Sequence, residues 1–204
     1  MPTTRREFVK QSAAVGIAVG GGAYLSGVLC LPRSAASIAP LRPPGALSER
    51  NFLATCIRCQ RCMDACPNRA LVPISLRDRH GRAGTPTMRP REAACMLCAG
   101  QDGDLLKCTE VCPSGALRLV RKDLAGIQEG VHIGVAEIDF ELCYSYNNWS
   151  CGACVRACPL SGRAMTIGSW ERPIIHAEAC VGCGCCERAC IRYPHAVRVK
   201  PHRT

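Results

Sequence analysis

The spacing of the cysteines is the feature that most limits what this chain can fold into. Of the 18 cysteines in its 204 residues, 17 lie between residues 56 and 190 and form four groups with one residue left over. In every group three residues separate the last two cysteines, and in the first three groups a proline follows. The grouped residues are Cys56, Cys59, Cys62 and Cys66; Cys95, Cys98, Cys108 and Cys112; Cys143, Cys151, Cys154 and Cys158; and Cys180, Cys183, Cys186 and Cys190.

The first and fourth groups have the spacing C-x2-C-x2-C-x3-C, which is typical of bacterial ferredoxins. Three thiolates two residues apart can surround one iron–sulfur cube from a single tight loop, and the backbone N–H groups of such a loop point towards the anionic sulfurs. The fourth cysteine leaves the loop and, in two-cluster ferredoxins, binds the neighbouring cluster. The pattern predicts four [4Fe-4S] clusters, with all sixteen grouped cysteines as iron ligands.

Short apolar runs follow the cysteine groups at residues 70–72, 116–120, 164–167 and 196–199, and similar runs precede the third and fourth groups. Their alternation is typical of short strands. Each unit therefore predicts a strand, a cluster loop, a short helix and a second strand. We expect an α+β fold of tandem bacterial-type ferredoxin-like modules, with two modules, four cluster-binding units and little regular secondary structure.

Two other uses of the thiols compete with iron–sulfur binding. A disulfide framework fits the cysteine content, but an odd number of 17 fits it poorly. A structural zinc site commonly uses two C-x2-C pairs, so the middle thiol of a three-thiol loop would be surplus. Because every group already has four cysteines, the five histidines are not needed as ligands.

Composition and charge restrict the function further. Only 4% of the residues are aromatic, so a large apolar core is not expected. Residues 37–204 contain 22 basic and 15 acidic residues once Arg5, Arg6, Lys10, Arg33 and Glu7 are excluded, but four oxidised clusters would add a charge of about −8. The sequence has no nucleic-acid reader motif, nucleophile elbow, phosphate loop or paired-carboxylate signature. We expect an electron carrier that is not an enzyme and does not bind nucleic acid.

The first 36 residues have the layout of an export signal. The pair Arg5-Arg6 precedes an uncharged stretch over residues 11–31 that contains several glycines, and small residues follow at Ser34 and Ala36. This pattern resembles the twin-arginine signal, which exports proteins after folding. We expect cleavage after Ala36. A retained signal, a membrane anchor and, less favoured, a lipoprotein site at Cys30 are the alternatives.

The remaining segments divide the chain into a Pro-rich linker over residues 37–50 and a polyferredoxin domain over residues 51–204. The cysteine groups of that domain span residues 56–66, 95–112, 143–158 and 180–190. Residues 73–94 are expected to form a surface loop. The aromatic loop between Cys143 and Cys151 is either a docking surface or a cover over a cluster, and Cys185 is expected to be a buried spare thiol.

Five segments together resemble the NapG/MauM ferredoxin-type proteins: LRPPGAL, CIRCQRCMDACP, ACMLC with KCTEVCPSGAL, CYSYNNWSCGACVRACPL and ACVGCGCCERAC. The resemblance covers nearly the whole chain and implies four [4Fe-4S] clusters in a nested pairing. The first group is then paired with the fourth and the second with the third, so that Cys66 and Cys190 exchange clusters, as do Cys112 and Cys158. The fourth group departs from the pattern because Ile191 replaces the proline.

The resemblance also implies a role and partners. Electrons would pass from a membrane quinol-oxidising protein, NapH-like, to a periplasmic reductase or cytochrome acceptor, with nitrate reductase as the favoured acceptor. The alternatives are a methylamine-utilisation ferredoxin and a maturation or assembly factor. The expected location is the periplasm, reached through the twin-arginine export machinery, with the protein held at the membrane by its partner.

Overall fold

Four short helices, each carrying the third cysteine of a group, are the recurring element of the fold. The computed structural model describes residues 39–78 and 80–202. Its α-helices are α1 Glu49–Thr55, α2 Arg61–Asp64, α3 Lys107–Glu110, α4 Leu124–Gly130, α5 Ala153–Arg156 and α6 Cys185–Ala189, with 3-10 turns at Tyr144–Asn147 and Ser169–Glu171. The third cysteine of each group lies in one of the short helices α2, α3, α5 and α6, and the fourth cysteine follows that helix.

Three two-stranded antiparallel sheets connect the cysteine loops. Strand β1 (Leu71–Pro73) pairs with β2 (Pro86–Met88), β4 (Met165–Ile167) pairs with β5 (Pro173–Ile175), and β3 (Val135–Ile138) pairs with β6 (Val197–Lys200). The runs at 70–72, 164–167 and 196–199 and those before the third and fourth groups thus contribute to strands, as expected. The run at 116–120 forms only an isolated bridge, between Ala46 and Leu117.

The same order of elements occurs twice. In each half a cysteine group is followed by a hairpin, β1–β2 or β4–β5, and the hairpin is followed by the next cysteine group. Helix α2 packs against α3 in the first half, and α5 packs against α6 in the second. The chain therefore builds two similar modules, each from two consecutive cysteine groups.

The core is small and is shared between apolar side chains and cysteines. Its fully buried members include Phe52, Leu106, Val131, Met165 and Val197, and the same cluster contains Cys108, Cys154, Cys183 and Cys186. Because so few large side chains are buried, the fold depends on what the cysteines bind as well as on apolar burial.

Two segments are more tightly integrated than expected. Residues 41–45, taken as part of a linker, are buried, and the guanidinium group of Arg42 binds Glu49, Thr85 and the carbonyl of Pro86 at 2.6–2.9 Å. Residues 73–94 are not simply a surface loop, since they contain β2 and the buried residues Thr85 and Met88. Proline content predicted an extended backbone in the lead-in but did not reveal its long-range partners.

Predictions for the export signal and for Cys30 lie outside the described residues. Within the part of the chain that the structure describes, no helix is both long enough and apolar enough to cross a membrane.

Candidate iron–sulfur centres

The sixteen grouped cysteines come together as four thiol sets. Each set takes three cysteines from one sequence group and the fourth from a partner group. Set A contains Cys56, Cys59, Cys62 and Cys112. Set B contains Cys66, Cys95, Cys98 and Cys108. Set C contains Cys158, Cys180, Cys183 and Cys186. Set D contains Cys143, Cys151, Cys154 and Cys190.

The nested pairing of cysteine groups is wrong. Cys66 joins the second group and Cys112 joins the first, while Cys158 joins the fourth and Cys190 joins the third. The physical reason is the packing of neighbouring short helices, because α2 against α3 and α5 against α6 carry each fourth cysteine into the adjacent loop of the same module. The exchange of fourth cysteines itself is confirmed, but it occurs between consecutive groups.

Sets B, C and D each surround a gap lined mainly by apolar side chains. All 17 cysteines between residues 56 and 190 are free thiols in the structure, with none in a disulfide. Among residues 39–78 and 80–202, no three His, Cys, Asp or Glu side chains are close enough to bind one metal ion. Four cysteines around each gap are the ligand set of a [4Fe-4S] cluster.

Burial and the charges of neighbouring thiolates raise the pKa of one thiol in set A and one in set B. Burial, followed by the charges of Cys56, Cys112 and Cys59, raises the pKa of Cys62 to about 12. Burial raises the pKa of Cys95 to about 12, with smaller contributions from Cys66 and Cys98. The cationic core of an iron–sulfur cluster would offset this repulsion, and each thiol that became a ligand would release its proton.

One thiol of set D and one of set C are affected in the same way. Burial first, and then the charges of Cys143 and Cys151, raise the pKa of Cys154 to about 11. Burial also raises the pKa of Cys186, and the negative charges of Cys180, Cys154 and Cys158 add to this effect. Since Cys186 belongs to set C and Cys154 to set D, these two sets are neighbours within the second module.

Backbone and hydroxyl groups donate to several of the sulfurs. The N–H of Ala70 donates to the Cys66 sulfur at 3.3 Å, and the N–H of Lys107 donates to the Cys98 sulfur at 3.4 Å. At Cys112 burial acts to raise the pKa, but hydrogen bonds from Leu117, Ser114 and Gly115 outweigh it and the pKa is lowered. Such donors stabilise negative charge on sulfur and are a means of adjusting a cluster's reduction potential.

A direct backbone contact joins the two modules between sets B and C. The N–H of Cys95 in set B donates to the carbonyl oxygen of Cys183 in set C at 2.8 Å. Nearby, the guanidinium group of Arg91 donates to three carbonyls at the end of α6, those of Glu187, Arg188 and Cys190. Sets B and C are therefore the inner pair, and the sets follow one another in the order A, B, C, D.

The seventeenth thiol lies in this contact between modules. The Cys185 sulfur donates to the carbonyl oxygen of Cys95 at 3.5 Å. The Cys183 thiol donates to the Cys185 sulfur and lowers its pKa to about 7, an effect that burial opposes. Cys185 is outside all four sets, as expected, but it is only partly buried. Its neighbour Cys95 is 90 residues away in sequence, so no local pattern could have shown the contact.

The arginines beside the cysteine loops mostly hold backbone. Arg58 donates to the carbonyls of Ala83 and Gly81, and so ties the first loop to the segment before β2. Arg156 binds Glu171 at 3.1 Å and also the carbonyl of Cys151. These contacts give Arg58 and Arg156 a role in positioning the loops.

The aromatic loop between Cys143 and Cys151 is divided between set D and the solvent. Tyr144 and Ser145 help to line the gap of set D. Trp149, by contrast, is 71% exposed. The loop therefore covers set D with one end and presents an aromatic ring to solvent with the other.

Comparison with known proteins supports the iron–sulfur interpretation. A family model described as a 4Fe-4S dicluster domain matches residues 55–116, and a 4Fe-4S binding domain model matches residues 140–164. The first match spans the first and second cysteine groups, in agreement with their pairing into one module.

Similar proteins match over nearly the full chain. The methylamine utilization ferredoxin-type protein MauM of Paracoccus denitrificans is 36% identical over 207 residues, which cover 97% of this chain and 88% of the relative. The ferredoxin-type protein NapG of Haemophilus influenzae is 33% identical over 97% of this chain and 71% of its own length. NapG of Escherichia coli is 34% identical over 93% of this chain and 79% of its own length.

The thiol sets and the matched 4Fe-4S domains define a ferredoxin-type protein, an iron–sulfur electron carrier. Within that class, the chain belongs to the family of the MauM and NapG ferredoxin-type proteins.

Proposed function

We propose that this protein relays electrons through four [4Fe-4S] clusters, one in each thiol set, in the order A, B, C, D or its reverse. The sixteen grouped cysteines are the iron ligands. The observation that carries the proposal is the 2.8 Å hydrogen bond between Cys95 and Cys183, because it brings the loops of two sets from different modules into contact. The contacts of Arg91 and Cys185 support the same connection between the two modules.

When bound, a [4Fe-4S] cluster accepts and releases one electron at a time. The chain supplies the surroundings. The buried thiols of Cys108, Cys183 and Cys186 exclude water from the inner sets B and C, while exposed Cys59 brings set A to the surface. N–H donors such as those of Ala70 and Lys107 stabilise charge on the ligand sulfurs. No side chain is needed to transform a substrate, so the protein acts as a carrier and not as an enzyme.

The proposed donor is a membrane quinol-oxidising protein, NapH-like, and the proposed acceptor is a periplasmic reductase or cytochrome. Residues 5–36 support export in the folded state by the twin-arginine machinery, which places the carrier in the periplasm beside its membrane partner. Loading iron in the cytosol before export also keeps the thiols reduced when the clusters form.

Nitrate reductase is the favoured terminal acceptor, since relatives named NapG align over most of the chain. Methylamine utilisation is the second candidate, and the 36% identity to MauM supports it to a similar degree. A maturation role is a third possibility within the same iron–sulfur chemistry.

The test is electron transfer between isolated components under anaerobic conditions. Iron-loaded protein is mixed with membranes that contain the quinol-oxidising partner, a reduced quinol is added, and cluster absorbance is followed. We expect bleaching that requires the partner and that reverses when a periplasmic nitrate reductase and nitrate are added. Reduction that is equally slow with and without the partner would contradict the proposed donor. If the partner reduces the clusters but nitrate reductase with nitrate does not reoxidise them, the methylamine system becomes the proposed pathway.

A further inference from the structure

Both tryptophans of the chain lie on the surface near set D. Side chains of this size are rarely left exposed. Trp149 is 71% exposed and Trp170 is 68% exposed, although tryptophan is highly buried on average. Phe140, Ile191 and Tyr193 are exposed in the same part of the chain. We call these five residues, Phe140, Trp149, Trp170, Ile191 and Tyr193, the aromatic face.

Contacts within the protein connect the aromatic face to set D. Phe140 packs on Tyr146 with ring centres 4.5 Å apart, and the Tyr146 hydroxyl donates to the carbonyl of Pro173. Pro173 and Ile191 both line the gap of set D. Trp149 precedes the set D ligand Cys151 by two residues, and Ile191 directly follows the ligand Cys190. Phe140, Trp149 and Ile191 therefore lie beside set D, at one end of the row of thiol sets.

The hairpin β4–β5 extends the apolar surface. It presents Ile167 and Ile174 to solvent on either side of Trp170 in the sequence. Exposed apolar surface of this kind, when continuous, commonly marks a site of contact with a protein or membrane.

Two arginines lie beside aromatic rings next to the aromatic face. The guanidinium group of Arg172 lies 5.5 Å from the ring centre of Tyr146, and that of Arg192 lies 5.4 Å from that of Tyr144. Of the nearby carboxylates, Glu171 is paired with Arg156, whereas Asp139 and the exposed Glu141 keep their negative charge beside Phe140. Arginines beside aromatic rings match a headgroup layer, where phosphates bind guanidinium groups and rings lie at the apolar boundary.

We propose that the aromatic face docks on the headgroup layer of a membrane and so holds set D at the bilayer surface. This inference rests on the proposed function, because a membrane donor needs one end of the carrier close to it. It adds the orientation: set D faces the membrane, and set A, with exposed Cys59 between Arg58 and Arg61, faces the soluble acceptor.

The two tryptophans allow a direct test, since the chain has only two and both belong to the aromatic face. The full-length iron-loaded protein is mixed with vesicles of phosphatidylcholine and phosphatidylglycerol, either plain or with brominated acyl chains. Bromine quenches a tryptophan only on close contact. We expect several-fold weaker fluorescence with the brominated vesicles.

Two paired variants separate the aromatic face from other routes of membrane attachment. The double substitution Ile191→Ser with Tyr193→Ser should remove most of the quenching, while Ile57→Ser with Leu76→Ser, at exposed apolar positions in the first module, should leave it unchanged. Equal fluorescence with plain and brominated vesicles would overturn the proposal and leave the face to a protein partner. Unchanged quenching in the Ile191/Tyr193 variant would overturn it as well.

Failure of this docking is distinguishable from failure of the proposed function. The fluorescence readout does not depend on electron transfer, and iron content is measured on the same samples. Protein with a full iron content and no quenching contradicts the docking alone, whereas quenching without iron contradicts the relay alone.

Discussion

The N–H of Cys95 lies 2.8 Å from the carbonyl oxygen of Cys183, although the two residues belong to different modules and are 88 positions apart. Each is a member of an inner thiol set, so this bond is the shortest described link between the first pair of sets and the second. The proposed relay depends on this contact.

Gly184→Ala should disturb the contact between the modules. Gly184 has φ +84°, and an added Cβ would lie 2.5 Å from the Cβ of Pro90, so α6 must move away from the first module. We expect full iron content but several-fold slower electron exchange between the inner clusters, measured by rapid-freeze EPR after partial reduction. Gly162→Ala is the matched control, because Gly162 has φ +85° with nothing within 4 Å of an added Cβ. Equal exchange rates in both variants would contradict a role for the contact.

Cys66→Ser should damage the cluster of set B and leave that of set C intact. The Cys66 sulfur lies with Cys95, Cys98 and Cys108, whereas nested pairing would have placed it with the fourth group. Loss of one EPR signal is expected, with the same signal lost in Cys95→Ser. Cys185→Ser serves as control and should retain all signals. If Cys66→Ser and Cys180→Ser removed the same signal, the consecutive pairing would be wrong.

Ser114→Ala should lower the reduction potential of the set A cluster. The Ser114 hydroxyl lies 3.8 Å from the Cys112 sulfur, and loss of one hydrogen bond worth about 1 kcal/mol or less corresponds to about 20–40 mV for a one-electron couple. An EPR-monitored redox titration measures the shift. The other three potentials are the internal control, and a uniform shift of all four would point to a general change in the fold.

Arg42→Ala should destabilise the first module by about 2–4 kcal/mol, because it leaves Glu49 without its partner and removes hydrogen bonds to Thr85 and Pro86. The guanidinium group also lies 4.6 Å from the ring centre of Phe52. The midpoint of urea-induced loss of cluster absorbance should fall. Arg50→Ala, at an exposed position of α1, should leave the midpoint unchanged, and a similar fall there would remove the special role of Arg42.

The iron-free protein should lose stability as the pH rises from 9.0 towards about 12. Burial first, and then neighbouring thiolates, raise the pKa of Cys62 to about 12, and burial raises that of Cys95 to the same value. The unfolded chain therefore releases these protons near pH 9.0 while the folded chain keeps them, so the free energy of unfolding falls over this interval. Urea unfolding of iron-free protein on both sides of pH 9 measures the effect. A midpoint that is constant or rises would contradict the raised pKa values.

Local pattern was sufficient to find the ligand candidates but not to pair them. The spacing of Cys56, Cys59 and Cys62 shows three thiols in one loop, because those positions are joined by short backbone segments. Which loop receives Cys66 depends on α2 packing against α3, a contact between residues more than 40 positions apart. The same limit explains why the partners of Arg42 and Cys185 were missed, since their contacts are distant in sequence.

The sequence could not show which aromatic residues of the loop between Cys143 and Cys151 are exposed to solvent. The aromatic residues near Cys143 were equally consistent with a cover and with a docking surface, because periodicity does not show which side of a short irregular loop meets solvent. The structure divides them: Tyr144 lines the gap of set D and Trp149 is exposed.

Iron and acid-labile sulfide analysis of anaerobically prepared full-length protein tests the central claim most directly. Four thiol sets that each hold one cube predict about sixteen iron and about sixteen sulfide per chain. About eight of each, or stoichiometric zinc without sulfide, would contradict the four-cluster relay.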